Sequence, residues 1–488
     1  MKVETDIISG FKFELAFQVL KTLLGGLLII VLARLLTAGQ YGLLHLTVYL
    51  CSIVVLFSSL GIPRSIAKFI TEYDKKDPGQ IPHIITTGVV VNTITVTVSV
   101  TVLVVFREEI AQIFDEPGLE LLIFIGVLYI IFESTMELSR RALQAFRQVS
   151  KGSTLIGINT IFKFGFAVVF VLLGYEVIGA FAGYVAGLAA ASLVGIVLLY
   201  SVLREYTAEP IEAGLRRRIL EYSLPLTVTD SGDILMKRVD ILLIGFFLTP
   251  VAVGYYTIGK QIVSFATDAS KALGFSISPH YSEQYTAGNT EKAAQLYKQA
   301  IESVLVFYIP AMVGLIVVAG PTVRHLVGSE YMGAVPVIQV LAVYMFWSAT
   351  TNVTGSGLDY LGKAKFRATL KGTMAVANAI LGVLLIPQIG VLGAAIPTVI
   401  TYGTYAVGNV YVMSRLLSIP LPELLGVTTR IVPLALLMGA VVYGLSTMVS
   451  GVGTLLVTVA LGVSIYGGLG IYTDVIDTAQ VKKIAGNG

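Results

Sequence analysis

Apolar stretches long enough to cross a bilayer recur about fourteen times along this chain, and nothing else in it constrains the fold as strongly. A hydrocarbon core of about 30 Å takes about 20 mainly apolar residues per helix. That criterion predicts spans near 11–36, 42–62, 83–105, 118–138, 153–174, 178–203, 219–247, 251–275, 298–320, 335–356, 368–387, 390–414, 424–448 and 452–474. Charges interrupt the seventh and eighth. The length of 488 residues by itself suggests about three soluble domains. Composition overrules it: 55% of residues are hydrophobic, 13% are charged and the mean hydropathy is +0.84. A soluble domain carries roughly a quarter charged residues, so too few remain here to coat a water-facing globule. The expected class is an all-α integral membrane protein of about fourteen transmembrane helices. Lys2 is followed by Glu4 and Asp6, and no small-residue cleavage motif follows the first apolar run, so that run is expected to stay as the first span. The single cysteine, Cys51, excludes an intramolecular disulfide framework and reads as helix packing.

Lys and Arg in short loops set orientation. With a cytoplasmic N-terminus the inner loops collect Arg64, Lys68, Lys75, Lys76, Arg140, Arg141, Arg147, Lys151, Arg204 and Arg216 to Arg218. They also collect Lys292, Lys298, Lys363, Lys365, Arg367, Lys371, Arg415, Lys482 and Lys483. The outer side holds Arg107 and Arg324, with Arg34 at the outer end of span one. Both termini are therefore expected in the cytoplasm of a multi-pass cell-membrane protein. The longest outer loops, near 106–118 and 320–334, have room for a short interfacial helix and no more.

The chain also repeats itself. Ala38-Gly39-Gln40-Tyr41-Gly42-Leu43 resembles Val251-Ala252-Val253-Gly254-Tyr255-Tyr256. Residues 143–155 align without gaps on 358–370, and Gly174 with Gly179-Ala180 corresponds to Pro387 with Gly393-Ala394. The offset is about 212–215 residues each time, and six spans per unit preserves orientation, which is the pattern of parallel repeats. The expected organisation is two pseudo-symmetric six-helix lobes, 1–205 and 206–418, around a central cavity, followed by two added helices and a tail over 419–488.

Ionisable groups in mid-membrane are costly and face a bundle interior or a water-filled cavity. Span seven is the richest, with Asp230, Asp233, Lys237, Arg238 and Asp240. At 100° per residue Asp230, Asp233, Lys237 and Asp240 share one narrow stripe, with Arg238 about a quarter-turn away; such a stripe is expected to line a polar cavity. Span one stacks Glu14, Gln18 and Lys21. Span five adds Lys163, span eight Lys260, Asp268 and Lys271, and span ten Asn352 and Asp359. Asp233 and Lys237 also fit a plain structural ion pair. Glu14 and Lys271 read as snorkelling to the interface. Lys21, Lys163 and Lys260 lack an evident partner on their own helix turns and point to a cavity role. Arg140, Arg141 and the run Arg216 to Arg218 read as topology determinants or contacts with anionic head groups.

Other chemistry is excluded. His45, His83, His280 and His325 make no metal-ligand spacing. No G-x-x-x-x-G-K-[ST] loop is present, which removes direct ATP hydrolysis by this chain. The sequon at Asn352 and Thr354 falls inside span ten. Pro225 and Pro310 lie within spans and can free backbone groups beside a cavity.

Several short elements, taken in order, resemble the polysaccharide-type flippases of the multidrug/oligosaccharidyl-lipid/polysaccharide exporter superfamily. They are Ala33-Arg34-Leu35-Leu36, Gln40-Tyr41-Gly42, Gly61-Ile62-Pro63-Arg64 and Ser223-Leu224-Pro225-Leu226. Asp240 with Gly245, Val253-Gly254-Tyr255-Tyr256, Pro279, Pro387, Gly390 and Gly393-Ala394-Ala395 complete the set. The resemblance implies alternating access of two lobes and a substrate of polyprenyl or dolichyl lipid, phosphate or diphosphate, and sugar chain. Lys21, Lys163, Lys237, Arg238 and Lys260 are then the expected phosphate- and glycan-facing groups, since cations pair with phosphate oxygens. Asp230, Asp233 and Asp240 would bind a coupling proton or sodium ion, or balance those cations. Beyond ion coupling no cofactor or metal is expected, and no nucleic acid. The partners implied are membrane lipids, the lipid-linked oligosaccharide and glycan-assembly enzymes, with a monomer sufficient for the mechanism. Two rival readings remain at this point: an ion-coupled multidrug or cation antiporter of the same superfamily, and a membrane glycan polymerase or glycosyltransferase.

Overall fold

The computed structural model describes the backbone of residues 2–476 except 421, 423 and 425, and within it the side chains of all but 2–16, 228–237, 269, 272, 275 and 276. Among the described residues there is no strand, and fourteen helices of 19 residues or more occupy the places where spans were predicted. Among the described residues ten stretches are long and apolar enough to cross a membrane, one of them (Val149–Leu203) holding two helices. The two charge-interrupted helices fall outside that set, as does Leu392–Leu416. Packing divides the chain into two compact units, Met1–Gly254 and Tyr255–Gly488.

The first unit opens with α1 (Lys2–Leu35) and α2 (Ala38–Ser59). Thr37 caps α2: its hydroxyl accepts the Gln40 N–H at 3.3 Å, and the Gln40 side chain accepts the Thr37 N–H at 3.1 Å. This reciprocal box satisfies two amides that a helix start leaves bare. Leu60 and Gly61 then take left-handed backbone, with φ of 44° and 67°, and Pro63 starts α3 (Ile62–Lys76). Span-length windows pass over α3 because it is amphipathic. It buries Ile62, Ile66, Phe69, Ile70 and Tyr73 against Ile84, Leu138, Leu199 and Ile219, and leaves Arg64, Lys75 and Lys76 outside. What read as a loop is a helix lying on the ends of the others.

The unit continues through α4 (Ile81–Val105), the short α5 (Arg107–Ile113) at the predicted interfacial place, α6 (Gly118–Ala145), α7 (Val149–Phe170), α8 (Glu176–Leu203) and α9 (Leu215–Phe247). Pro225 stays inside α9. Glycines set how near the helices come. A Cβ on Gly183 would stand 2.2 Å from the Ala167 backbone nitrogen, and one on Gly187 would stand 2.7 Å from the Asn159 carbonyl oxygen. α7 and α8 therefore touch backbone to backbone, as small residues permit between membrane helices. Cys51 is buried, its sulfur in the space left by Gly126. The two sequence motifs paired by the repeat also meet: a Cβ on Gly42 would lie 1.7 Å from the Pro250 carbonyl oxygen, and one on Gly254 would lie 2.4 Å from that of Ala38.

The connection from α8 to α9 is tied to α3 and to the turn before α4. The Tyr206 hydroxyl donates to Asp74 at 2.9 Å, Gln80 exchanges hydrogen bonds with Pro210 O and Glu212 N, and Arg218 pairs with Glu212 at 2.8 Å. Tyr73 donates to Glu212 as well. That hydroxyl, with Arg218 beside it, holds the Glu212 carboxyl below the usual range.

The second unit contains the rest of α10 (Pro250–Thr286), then α11 (Thr290–Thr322), α12 (Val335–Tyr360), α13 (Ala364–Ile389), α14 (Leu392–Leu416), α15 (Thr428–Ser446) and α16 (Val452–Tyr472). Polar side chains stitch its interior. The Tyr281 hydroxyl donates to Val353 O at 3.1 Å, Tyr297 meets Thr354 at 3.0 Å, and Asn352 donates to Ser270 at 2.9 Å. The sequon is thus internal packing. Asp359 pairs with Arg367, which also donates to Gly355 O at 2.7 Å, and Lys271 pairs with Asp268. α15 lies along α11, with Gly439 against Val313, and the Tyr466 hydroxyl of α16 donates to Val306 O at 3.0 Å.

Two outcomes follow for the first unit. Gly42→Val should lower the midpoint of thermal unfolding in detergent by several degrees or prevent assembly, because overpacking a fitted crossing costs about 1–3 kcal/mol. The hold of segment 206–214 on α3 should be full above the ordinary carboxylate range. It should be lost as pH falls through the depressed value of Glu212, where the carboxylate takes up its proton. Hydrogen exchange of residues 206–214 against pH would read this.

Candidate functional site

Within the first unit α1, α2, α6, α7, α8 and α9 bring charged and aromatic side chains together in the middle of apolar helices. α2 presents Tyr41, His45 and Tyr49 one turn apart on one face, with ring centroids 4.5 Å and 6.2 Å apart. His45 is buried and its Nε2 has no hydrogen-bond partner among the described residues. The Arg238 guanidinium of α9 lies over the Tyr49 ring at 5.5 Å. The Lys163 ammonium of α7 lies over the Tyr184 ring of α8 at 5.1 Å. Each cation thus rests on an aromatic face, an arrangement worth about 2 kcal/mol or more where water is scarce. Tyr49 and Tyr184 are themselves near enough to interact.

The glycine contacts explain the placement. Gly187 lets the stem of Lys163 press onto α8, its Cβ 2.8 Å from where a Gly187 Cβ would stand. Phe17 of α1 fills the space beside Gly157 of α7, and Lys21 follows Phe17 by one turn, within electrostatic reach of Lys163. Lys21 is exposed and Lys163 and Arg238 are half-buried.

One residue of this cluster is not among the site residues expected from the sequence. Glu133 of α6 is half-buried and interacts electrostatically with Arg238, Lys163, Glu137 and Arg140. One turn before it Tyr129 stacks on Phe181 at 5.8 Å, and one turn after it Glu137 accepts from Arg140 and Arg141 at 2.7 Å each. Arg140 and Arg141, read from the sequence as topology or lipid-facing groups, share that one carboxylate. The one signal in the sequence for Glu133 is its position at mid-span.

The other predicted site residues divide. The side chains of Asp230, Asp233 and Lys237 lie outside the described residues. Asp240 is 7% exposed and its Oδ1 takes the Ile241 N–H at 2.9 Å, so it sits in the interior of the first unit. Lys260 belongs to the second unit and lies over the Tyr256 ring at 5.5 Å. It does have a partner one turn back on its own helix, an aromatic face rather than a carboxylate. No group of three or more His, Cys, Asp or Glu fit to hold a metal occurs among the described residues.

The model of a protein family described as polysaccharide biosynthesis protein matches residues 31–336. The chain belongs to that family. The match contains the cluster except Phe17 and Lys21, and it includes Glu133. Over 444 residues the chain is 24% identical to a protein of Haloferax volcanii named probable low-salt glycan biosynthesis flippase Agl15, covering 91% of this chain and 90% of that one. A stretch of 147 residues, 29% of this chain and 27% of the relative, is 28% identical to the lipid II flippase MurJ of Bacillus subtilis. A solved structure of lipid II flippase MurJ in an inward closed conformation shares the fold with a TM-score of 0.76 at 16% identity, over 95% of this chain and 99% of that one. An inward-facing multidrug resistance MATE family transporter follows at 0.62 and 15% identity, over 82% and 95%. The fold of this polysaccharide biosynthesis family member is therefore the MurJ and MATE fold.

Glu137→Gln should leave Arg140 and Arg141 without their shared anion. Breaking a fully buried pair costs about 3–5 kcal/mol, and the partial exposure here reduces that to about 1–2 kcal/mol. The expected result is a drop of a few degrees in the thermal unfolding midpoint, with Arg140→Gln/Arg141→Gln in the Glu137→Gln background giving no further loss.

Proposed function

We propose that this chain is a flippase that carries a polyprenyl- or dolichyl-(di)phosphate-linked oligosaccharide from the cytoplasmic to the external face of the cell membrane by alternating access, for surface polysaccharide or protein glycosylation. The observation that carries the reading is the pair of half-buried cations, Lys163 over Tyr184 and Arg238 over Tyr49, in the middle of membrane-length helices. A lipid tail can stay in the bilayer, while the phosphate and sugars need a polar, cationic route. Cations pair with phosphate oxygens through charge-assisted hydrogen bonds, and tyrosine rings offer a flat surface to the apolar face of a sugar. The family membership and the glycan-flippase name of the Haloferax relative support this class of substrate.

On this proposal both termini are cytoplasmic, Lys21, Lys237 and Lys260 extend the anion-facing surface, and Asp230, Asp233 and Asp240 balance those cations or bind a coupling proton or sodium ion. Two six-helix lobes alternate around the substrate, a monomer suffices, and glycan-assembly enzymes supply and consume the cargo.

The test is the sidedness of lipid-linked glycan in cells lacking the protein, probed with an impermeant sugar oxidant or lectin. The expected result is accumulation of intact lipid-linked glycan on the cytoplasmic face, reversed by the wild-type gene. Arg238→Gln and Lys163→Gln should each restore about tenfold less of the external signal at equal protein level, since a charge-assisted hydrogen bond is worth roughly 1.5–3 kcal/mol. An unchanged distribution, with sensitivity to cationic drugs instead, would transfer the chain to the antiporter reading.

A further inference from the structure

Tryptophan and tyrosine of membrane proteins collect at the two interfaces, where the polar tip is wet, and a buried one usually finds a hydrogen-bond partner. The second unit departs from this. Trp347, the chain's single tryptophan, and Tyr344 lie in the middle of α12, one turn apart. Both are half-buried, and neither the indole N–H nor the Tyr344 hydroxyl bonds another described group. No cation covers either ring among the described residues, in contrast to Tyr49 and Tyr184. α14 supplies the other side: the Tyr402 ring meets that of Tyr344 edge-on at 4.6 Å, and a Cβ on Gly403 would stand 3.1 Å from Trp347 Nε1.

Lipid does not account for this face. No large apolar side chain of α12 is exposed before Tyr360 at its end, and the exposed Ile400 and Val407 of α14 lie across that helix from Tyr402. Two turns beyond the rings each helix carries a polar group without a partner, Thr351 Oγ1 on α12 and both amide atoms of Asn409 on α14. These residues are 8% and 0% exposed. Unpaired polar atoms are rare in a packed interior and call for a group from outside the protein. The charge nearby is positive: Arg367 donates to the Tyr405 hydroxyl at 3.2 Å, beside Tyr402. Asp359, the one acidic residue of α12, α13 and α14, is already paired with Arg367. Such surroundings disfavour a cationic ligand.

We propose that Trp347, Tyr344 and Tyr402 form a sugar platform: the C–H face of a pyranose ring of the cargo glycan lies on these rings, and its hydroxyls bond the indole N–H and the Tyr344 hydroxyl. This rests on the flippase reading above and adds to it a surface for the sugar part of the cargo. A sugar ring carries C–H bonds on its faces and hydroxyls around its rim, which matches uncharged aromatic faces with bare polar edges. The phosphate is left to the cations of the first unit.

Trp347 is also the reporter. Its fluorescence in the purified full-length protein, held in a zwitterionic detergent free of sugar head groups, is titrated with the methyl glycosides of glucose, galactose, mannose and N-acetylglucosamine. Hexanol serves as the apolar control and tetraphenylphosphonium as the cationic one. At least one glycoside should give a saturable change and neither control should. Tyr344→Leu should weaken that binding about tenfold, and Tyr344→Phe, which keeps the ring and loses the hydroxyl, about threefold. In cells Trp347→Leu should deliver about tenfold less external glycan than wild type at equal protein level, with Trp347→Phe between the two. The proposal is overturned if no glycoside gives a saturable change, or if Tyr344→Leu, with an unaltered unfolding midpoint, binds as wild type does. A saturable response to the phosphonium alone also overturns it and gives the rings to a cation. Failure here, together with cytoplasmic accumulation of lipid-linked glycan in cells lacking the protein, removes the platform and leaves the flippase reading standing. Glycoside binding that is weakened in Tyr344→Leu, without such accumulation, keeps the platform and removes the flippase reading.

Discussion

Hydrocarbon gives a peptide N–H or C=O nothing to bond to, and the rest of this protein follows from that constraint. With no strand among the described residues to close a barrel, the segments that cross are helices, each satisfying its own backbone. Once the backbone is closed in this way, only side chains can carry function. A charged side chain in mid-span must then turn away from lipid and toward other helices. The charges of α6, α7 and α9 meet for this reason, and they meet within an interior where each cation lies on a tyrosine face.

Close packing turns that tendency into a defined site. Apolar surface gives membrane helices little reason to prefer one neighbour over another, since lipid tails are equally apolar. Backbone proximity supplies the preference. Gly183 and Gly187 let α8 approach α7 until Lys163 reaches Tyr184, and Gly157 lets Phe17 bring α1 and its Lys21 alongside. The same device works at Gly42 and Gly254, where two stretches meet at backbone distance. Larger residues at these points would separate the helices and so separate the charges.

Outside the span-forming segments the logic changes to that of a soluble protein. α3 has a buried apolar face and an exposed basic one, and the segment linking α8 to α9 is fastened to it by hydrogen bonds and an ion pair. The start of α9 is thereby anchored: Ser65 of α3 donates to Ile219 O at 2.8 Å. The ends of these helices are thus fixed by water-compatible chemistry, in a chain with the MurJ and MATE fold.

The positions of the long helices were determined by the sequence alone, because a run of about 20 apolar residues is a local property; their lengths were not, since Pro250–Thr286 and Thr290–Thr322 continue past the apolar runs at 251–275 and 298–320. The all-α class, the short interfacial α5 and the family likeness follow from the same local information. α3 escaped because its apolar residues are spaced rather than consecutive. Which charges meet was decided only by tertiary structure. Arg140 and Arg141 read as loop cations and share Glu137, and Lys260 reads as solitary and lies on Tyr256. A contact between helices depends on crossing geometry, and crossing geometry depends on backbone approach at particular glycines. No window along one helix contains that information, so it exists only once the helices are packed.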